Sequence, residues 1–139
     1  MGDRQRILVV DDQQEILDLT ETVLSSGGYS ISTASSGDEA LGQLAREPFD
    51  LVLLDINMPD MDGWETLRLL RADEQLVDVA VVMFSVKGEV SDKVHSLQEG
   101  ASGYITKPFV IDELVARVKR VLEARQRPAG DRPASDSGA

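Results

Sequence analysis

Between Leu51 and Gly63 the chain reads Leu51-Val-Leu-Leu-Asp55-Ile-Asn57-Met-Pro59-Asp-Met-Asp-Gly63. Four apolar residues in a row cannot alternate between core and solvent. The segment therefore reads as a strand buried on both faces, the mark of a parallel sheet between two helical layers. The run ends abruptly in a carboxylate, and Pro59 and Gly63 then force a turn. In open α/β sheets ligands bind beyond the C-terminal ends of the strands. Asp55 stands at such an end.

The rest of the chain repeats this scheme. Arg6-Ile-Leu-Val-Val-Asp11 is a first short apolar run ending in acids. A first helix is predicted from about Gln14 to Ser26, with Ile16, Leu19, Val23 and Leu24 on one face and Gly27-Gly28 stopping it. Tyr29-Ser-Ile-Ser-Thr-Ala34 alternates like a strand exposed on one side. Ser36-Gly-Asp-Glu39 is a capping-box pattern opening a second helix whose inner face is Ala40, Leu41 and Leu44. A third helix follows Gly63 with Trp64, Leu67 and Leu70. Val79-Ala-Val-Val-Met-Phe84 is a fourth strand. A fourth helix is predicted from about Glu89, with Val90, Val94 and Leu97 inward before Gly100. Gly103-Tyr-Ile-Thr106 is a short fifth strand closed by Lys107-Pro108. A fifth helix covers about Val110 to Arg125, with Ile111, Leu114, Val118, Val121 and Leu122 inward.

Strands alternating with helices every 20–25 residues or so imply parallel βαβ units with right-handed crossovers. The first, third and fourth strands carry the continuous runs and belong in the centre; the mixed second belongs at an edge. The expected fold class is α/β: a flavodoxin-like (βα)5 three-layer sandwich with a five-stranded parallel sheet in the order 2-1-3-4-5. The domain is placed at residues 4–125. From Pro128 nothing can bury a face, so 128–139 is expected to be a flexible tail or the start of a linker.

In this order the first and third strands are neighbours, so Asp11, Asp12 and Asp55 converge on one rim. Carboxylates this close repel and raise a pKa. A hard divalent cation such as Mg²⁺, which takes oxygen ligands at about 2.0–2.1 Å and keeps several waters, relieves this. Ser85 from the fourth strand and Lys107 from the fifth reach the same rim. A hydroxyl and an ammonium beside acids are parts of phosphoryl-transfer chemistry, in which the protein mainly positions and stabilises charge. Asp55 can serve as the nucleophile by forming an aspartyl phosphate. Singly, each residue has a plainer reading as a loop residue, cap or solvated turn; five of them on four strand ends together point to a site. The net charge of −11 opposes direct nucleic-acid binding. The absence of cysteine excludes disulfides and thiolate metal sites and fits the cytoplasm. Ile7-Leu-Val-Val10 is too short to be a membrane or signal segment, so no membrane partner is expected.

Asp11-Asp12, Asp55-Ile-Asn-Met-Pro-Asp-Met-Asp-Gly63, Ser85 and Gly100-Ala-Ser-Gly-Tyr-Ile-Thr-Lys-Pro-Phe109 together resemble receiver domains of two-component response regulators, most closely the single-domain chemotaxis-like type. The resemblance covers about residues 4 to 125. It implies that Asp55 is the phosphoacceptor, charged by a sensor histidine kinase or a histidine phosphotransfer protein. It implies Mg²⁺, with Mn²⁺ as a substitute, held by the side chains of Asp12 and Asp55 and the backbone carbonyl of Asn57, with Asp11 holding a metal water. Lys107 would pair with the phosphate. Ser85 would hydrogen-bond it and shift on activation, with Tyr104 as the aromatic switch that follows. The face of helix 4, strand 5 and helix 5 would then bind a downstream protein, or a second copy in a phosphorylation-dependent homodimer. Asn57 and Lys87 occupy positions that tune phosphoryl lifetime. Val86 departs from the small residue usual there and is added to that set; whether Lys87 would pair with phosphate or obstruct water stays open.

The resulting expectation is a phosphorylation-dependent signalling switch, not a turnover enzyme, acting through protein contact. The alternative is a constitutive receiver-fold interaction module independent of phosphorylation. A haloacid-dehalogenase-type phosphatase is disfavoured because Asn57 stands where such enzymes carry a second Asp. His95, the only histidine, is assigned no catalytic role, and Asp60 and Asp62 read as solvated loop residues.

Overall fold

The structure, a computed structural model, describes residues 4–86, 98 and 100–126, with only the backbone of Ser85, Val86 and Gln126. The predicted fourth helix, Lys87, His95 and residues 128–139 lie outside the described residues.

Five strands, β1 (Arg6–Val10), β2 (Ser30–Ala34), β3 (Leu51–Asp55), β4 (Ala80–Val86) and β5 (Gly103–Lys107), form one parallel sheet in the order β2-β1-β3-β4-β5. The flavodoxin-like α/β expectation therefore holds. Helices α1 (Gln14–Ser26), α2 (Gly37–Arg46) and α3 (Gly63–Ala72), a short 3₁₀ turn (Glu74–Leu76) and a C-terminal helix (Ile111–Gln126) fill the crossovers described.

The central runs serve two cores at once. Leu8, Val10, Val52, Leu54, Val81 and Met83 pack with Ala40, Leu44, Leu67 and Leu70 of α2 and α3. The intervening Ile7, Val9, Leu51, Leu53, Val82 and Phe84 pack with Leu17 and Leu24 of α1 and Leu114, Val118 and Leu122 of the C-terminal helix. Because side chains alternate faces along a strand, residues 7, 9, 51 and 53 share one face of the sheet. That period carries Asp11 and Asp55 onto the α1 and C-terminal helix side.

Two helix faces differ from expectation. Leu19 is 40% exposed, and the inner face of α1 is Leu17, Thr20 and Leu24. Thr20 can be buried because its hydroxyl donates to the carbonyls of Ile16 and Leu17. Ile111 is 44% exposed, because the C-terminal helix starts there and its inward stripe begins one turn later at Leu114. The helix caps follow local chemistry. Ser36 Oγ accepts from the Glu39 amide at 3.1 Å, but Glu39 returns its carboxylate to the amide of Ser35, not of Ser36. Asp62, read from the sequence as a solvated loop residue, caps α3 by accepting from the Glu65 amide at 3.0 Å.

Candidate functional site

Parallel pairing sets Val10 opposite Leu54 and Asp55 opposite Phe84, so the residues that follow β1 lie against the end of β3. Asp11 is fully buried and Asp55 is 3% exposed, while Asp12 is exposed. One carboxylate oxygen from each of the three lies within 4.8 Å of the others. The convergence expected from strand ends is thus present.

Lys107 closes the cluster from β5. Its Nζ donates to Asp11 Oδ2 at 2.7 Å and stands 3.3 Å from Asp55 Oδ1. The ammonium also lies 5.4 Å from the centre of the Phe84 ring, which stacks on Phe109 at 5.6 Å. These rings cover the lysine's flank and strengthen its pairing by keeping water away. The second oxygen of Asp11 accepts from the Gln13 amide at 2.9 Å, a local turn that fixes the start of α1. Asp11 is therefore satisfied on both oxygens. Asp55, among the described residues, has less: Lys107 at a distance and a long 3.3 Å bond from the Asn57 amide.

The electrostatic consequence falls on Asp55. Burial, reinforced by the neighbouring Asp11 charge, pushes its carboxyl up to about 6, against the smaller opposing pulls of Lys107 and the Asn57 amide. Among the described residues one lysine faces two buried carboxylates, which leaves their charge incompletely neutralised.

The loop after Asp55 is tightly determined. The Ile56 amide donates to the Phe84 carbonyl at 3.0 Å, and the Gly63 amide reaches back to the Ile56 carbonyl at 2.9 Å. A Cβ at Gly63 would overlap the Asp55 carbonyl oxygen and lie 2.7 Å from Ile56 Cα. Only glycine allows α3 to start this close to the end of β3. Asp60 takes a left-handed conformation (φ 67°), tolerable for Asp because its short side chain can bond locally.

Of the other residues singled out, Asn57 is exposed on this loop with its backbone beside Asp55. Ser85 lies in β4 one residue past Phe84, and Val86 pairs in register with Lys107; their side chains and Lys87 are outside the described residues. Tyr104 is 8% exposed, paired in register with Met83. No sequence pattern singles out Arg71. From α3 its guanidinium donates to the carbonyls of Leu76, Val77, Val79 and Gly100. A lone arginine near a helix end carries no pattern that would reveal this. The capping role of Asp62 was readable, since Asp62-Gly-Trp-Glu65 has capping-box spacing.

The pattern that defines the family described as "Response regulator receiver domain" matches residues 7–119. The chain belongs to that family. Over 120 residues it is 44% identical to the transcriptional regulatory protein PrrA of Mycobacterium leprae, covering 86% of this chain and 51% of that one. Over 123 residues it is 41% identical to the regulatory protein VanRc of Enterococcus gallinarum, covering 88% and 52%. The chain spans about half the length of the curated relatives it matches. Among solved structures, the chemotaxis response regulator CheY4 of Vibrio cholerae is 30% identical with a TM-score of 0.81, covering 86% of this chain and 99% of that one. The receiver domain of NtrX from Brucella abortus is 36% identical with a TM-score of 0.79, covering 84% and 98%. These relatives are regulatory proteins rather than metabolic enzymes. Receiver domains bind Mg²⁺ at an acidic pocket, and the Asp11, Asp12 and Asp55 cluster of this receiver could hold such an ion. Among the described residues no helix is long and apolar enough to cross a membrane.

Proposed function

We propose that this receiver domain, taken as residues 4–125, is a switch whose Asp55 accepts a phosphoryl group from the phosphohistidine of a histidine kinase or phosphotransfer protein. The observation that carries the reading is the imbalance among the described residues: a buried carboxylate with only long bonds beside a second one, with one ammonium, that of Lys107, reaching both. In the transfer an Asp55 oxygen bonds to phosphorus as the phosphorus–imidazole nitrogen bond breaks. The electron pair stays on the imidazole, which takes up a proton.

The donor set fits a hard cation. Three carboxylates with oxygens within 4.8 Å of one another suit Mg²⁺, or Mn²⁺ in its place. Asp12 and Asp55 would hold it through side chains, Asn57 through its carbonyl and Asp11 through a water. The ion supplies positive charge against the acids and the incoming phosphoryl oxygens. Lys107 does the remaining electrostatic work. Poised between Asp11 and Asp55, its ammonium swings onto a phosphoryl oxygen once Asp55 is phosphorylated. Ser85 donates its hydroxyl to another, and Tyr104, already buried, repacks as Ser85 shifts. Asn57, Val86 and Lys87 set how readily water reaches the acyl phosphate.

Ile16 and Leu19 of α1 and Pro108 and Phe109 line an apolar cleft of about 350 Å³ beside Lys107. With Val110 65% and Ile111 44% exposed next to it, this is where we place the phosphodonor protein. A downstream protein, or a second copy in a homodimer, would read the face containing β5 and the C-terminal helix. The test is intact-mass analysis of the chain with Mg²⁺ and acetyl phosphate. A gain of one phosphoryl group that disappears in Asp55→Asn and on adding EDTA supports the reading. No gain at any donor concentration, or an equal gain in Asp55→Asn, refutes it.

A further inference from the structure

At the end of the sheet opposite the acid cluster, where β4 and β5 begin, lies a second cavity of about 440 Å³. Four arginines line it: Arg71 from α3, and Arg117, Arg120 and Arg125 from the C-terminal helix. The whole chain has 14 basic residues against 25 acidic ones, so this concentration runs against its composition. Among the described residues Asp78 is the one acid on the lining and Asp50 pairs with Arg125 beside it, so four guanidiniums against two carboxylates leave a local excess of two positive charges.

The four do not play the same part. Arg71 is held by main-chain carbonyls, including Gly100 at 2.9 Å. Arg125 donates to the Asp78 carbonyl at 2.8 Å and to Asp50 at 3.2 Å. Both are fixed in place. Arg117 and Arg120, among the described residues, have no hydrogen-bond or ion-pair partner. They stand three apart on one helix face, where like charges repel. Arg117 is nonetheless half-buried, its stem packed near Gly103. Two guanidiniums from one helix face that both line the cavity, half-buried Arg117 and exposed Arg120, have free donors that match the oxygens of a phosphate group, which arginine grips in pairs.

The volume sets the size of the guest. It falls in the range of about 300–1,000 Å³ typical of small-ligand sites. A single phosphate would leave most of it empty, and the wall formed by Val79, Val121 and Ala124 offers apolar surface besides.

We propose that this cavity binds a small polyphosphate anion of nucleoside di- or triphosphate size, gripped by Arg117 and Arg120 in the positive potential of Arg71 and Arg125. The site is remote from Asp55, and the proposal does not depend on the phosphorylation reading. Isothermal titration calorimetry of the full chain in EDTA, with ATP, tripolyphosphate, adenosine and poly-glutamate as separate titrants, tests it. The expected result is saturable one-site binding of ATP or tripolyphosphate, weakened at least tenfold in Arg117→Ala/Arg120→Ala. Lys119→Ala, on the same helix but off the cavity, and Asp55→Asn stay within twofold of wild type. Circular dichroism melting of the double variant close to wild type shows that the loss is not unfolding. Tighter binding of ATP than of tripolyphosphate assigns the apolar wall to the nucleoside, and equal binding assigns recognition to the phosphates; both support the site. No saturable heat, adenosine binding as tightly as ATP, or an unweakened double variant overturns it. So does saturable binding of poly-glutamate alone, which would mark the patch as a docking surface for an acidic protein.

Discussion

Replacing Asp55 by asparagine should stabilise the metal-free protein at neutral pH. The carboxyl is 3% exposed and its folded-state pKa is raised from 3.8 to about 6. Between these values the folded chain keeps a proton that the unfolded chain has released. Stability of the wild type therefore falls as pH rises from about 4 through about 6, and the loss is complete above that. At about 1.4 kcal/mol per unit, the full penalty is on the order of 3 kcal/mol. Asparagine is nearly isosteric and carries no charge, but it also leaves Lys107 with Asp11 alone. The net gain should be about 1–3 kcal/mol, or several degrees in melting temperature. Urea titrations of wild type and Asp55→Asn in EDTA at pH 7.5 and pH 4 measure it. The variant should be more stable at pH 7.5, and the difference should shrink towards zero at pH 4. Saturating Mg²⁺ should recover stability in the wild type more than in the variant, because the ion binds the folded acid cluster. A variant no more stable than wild type at pH 7.5, or equally favoured at both pH values, would refute the electrostatic account.

Other consequences can be checked with the same urea assay. Lys107→Ala strips the 2.7 Å partner from fully buried Asp11 and should cost about 1–3 kcal/mol, while reducing phosphorylation by acetyl phosphate at least tenfold; a variant as stable and as active as wild type would contradict the arrangement. Gly63→Ala forces a Cβ against the Asp55 carbonyl and Ile56 Cα, and a loss of at least about 2 kcal/mol should follow; a neutral substitution would show that the loop has room. Asp62→Ala removes the α3 cap and should cost about 1 kcal/mol, recovered by Asp62→Ser.

What could be read beforehand follows from which forces act locally. The Leu51–Leu54 and Ile7–Val10 runs betray burial on both faces in any context, and from them came the sheet order and the meeting of Asp11 with Asp55. Lys107 was legible because it ends a strand whose neighbours also end in polar groups. Leu19 was misplaced because α1 has an apolar residue on more than one face, and only the neighbouring layer decides between Leu17 and Leu19. Ile111 was misplaced because the inward stripe of a helix cannot be extended into its first turn without knowing where the strand before it ends. Arg71 bonds to carbonyls spread over two connections, a pattern made only by folding. The elevated proton affinity of Asp55 depends first on how deeply its carboxyl is buried and then on how close Asp11 comes, which strand assignment alone cannot set.

The central claim is that the phosphoryl group resides on Asp55 and on no other acid of the cluster. Borohydride reduces an acyl phosphate to the corresponding alcohol, marking the residue that carried it. After treatment with acetyl phosphate and Mg²⁺, then borohydride, peptide sequencing by mass spectrometry should find the reduced residue at position 55 alone. Reduction at Asp11 or Asp12, or none in a chain that has gained phosphoryl mass, would contradict it.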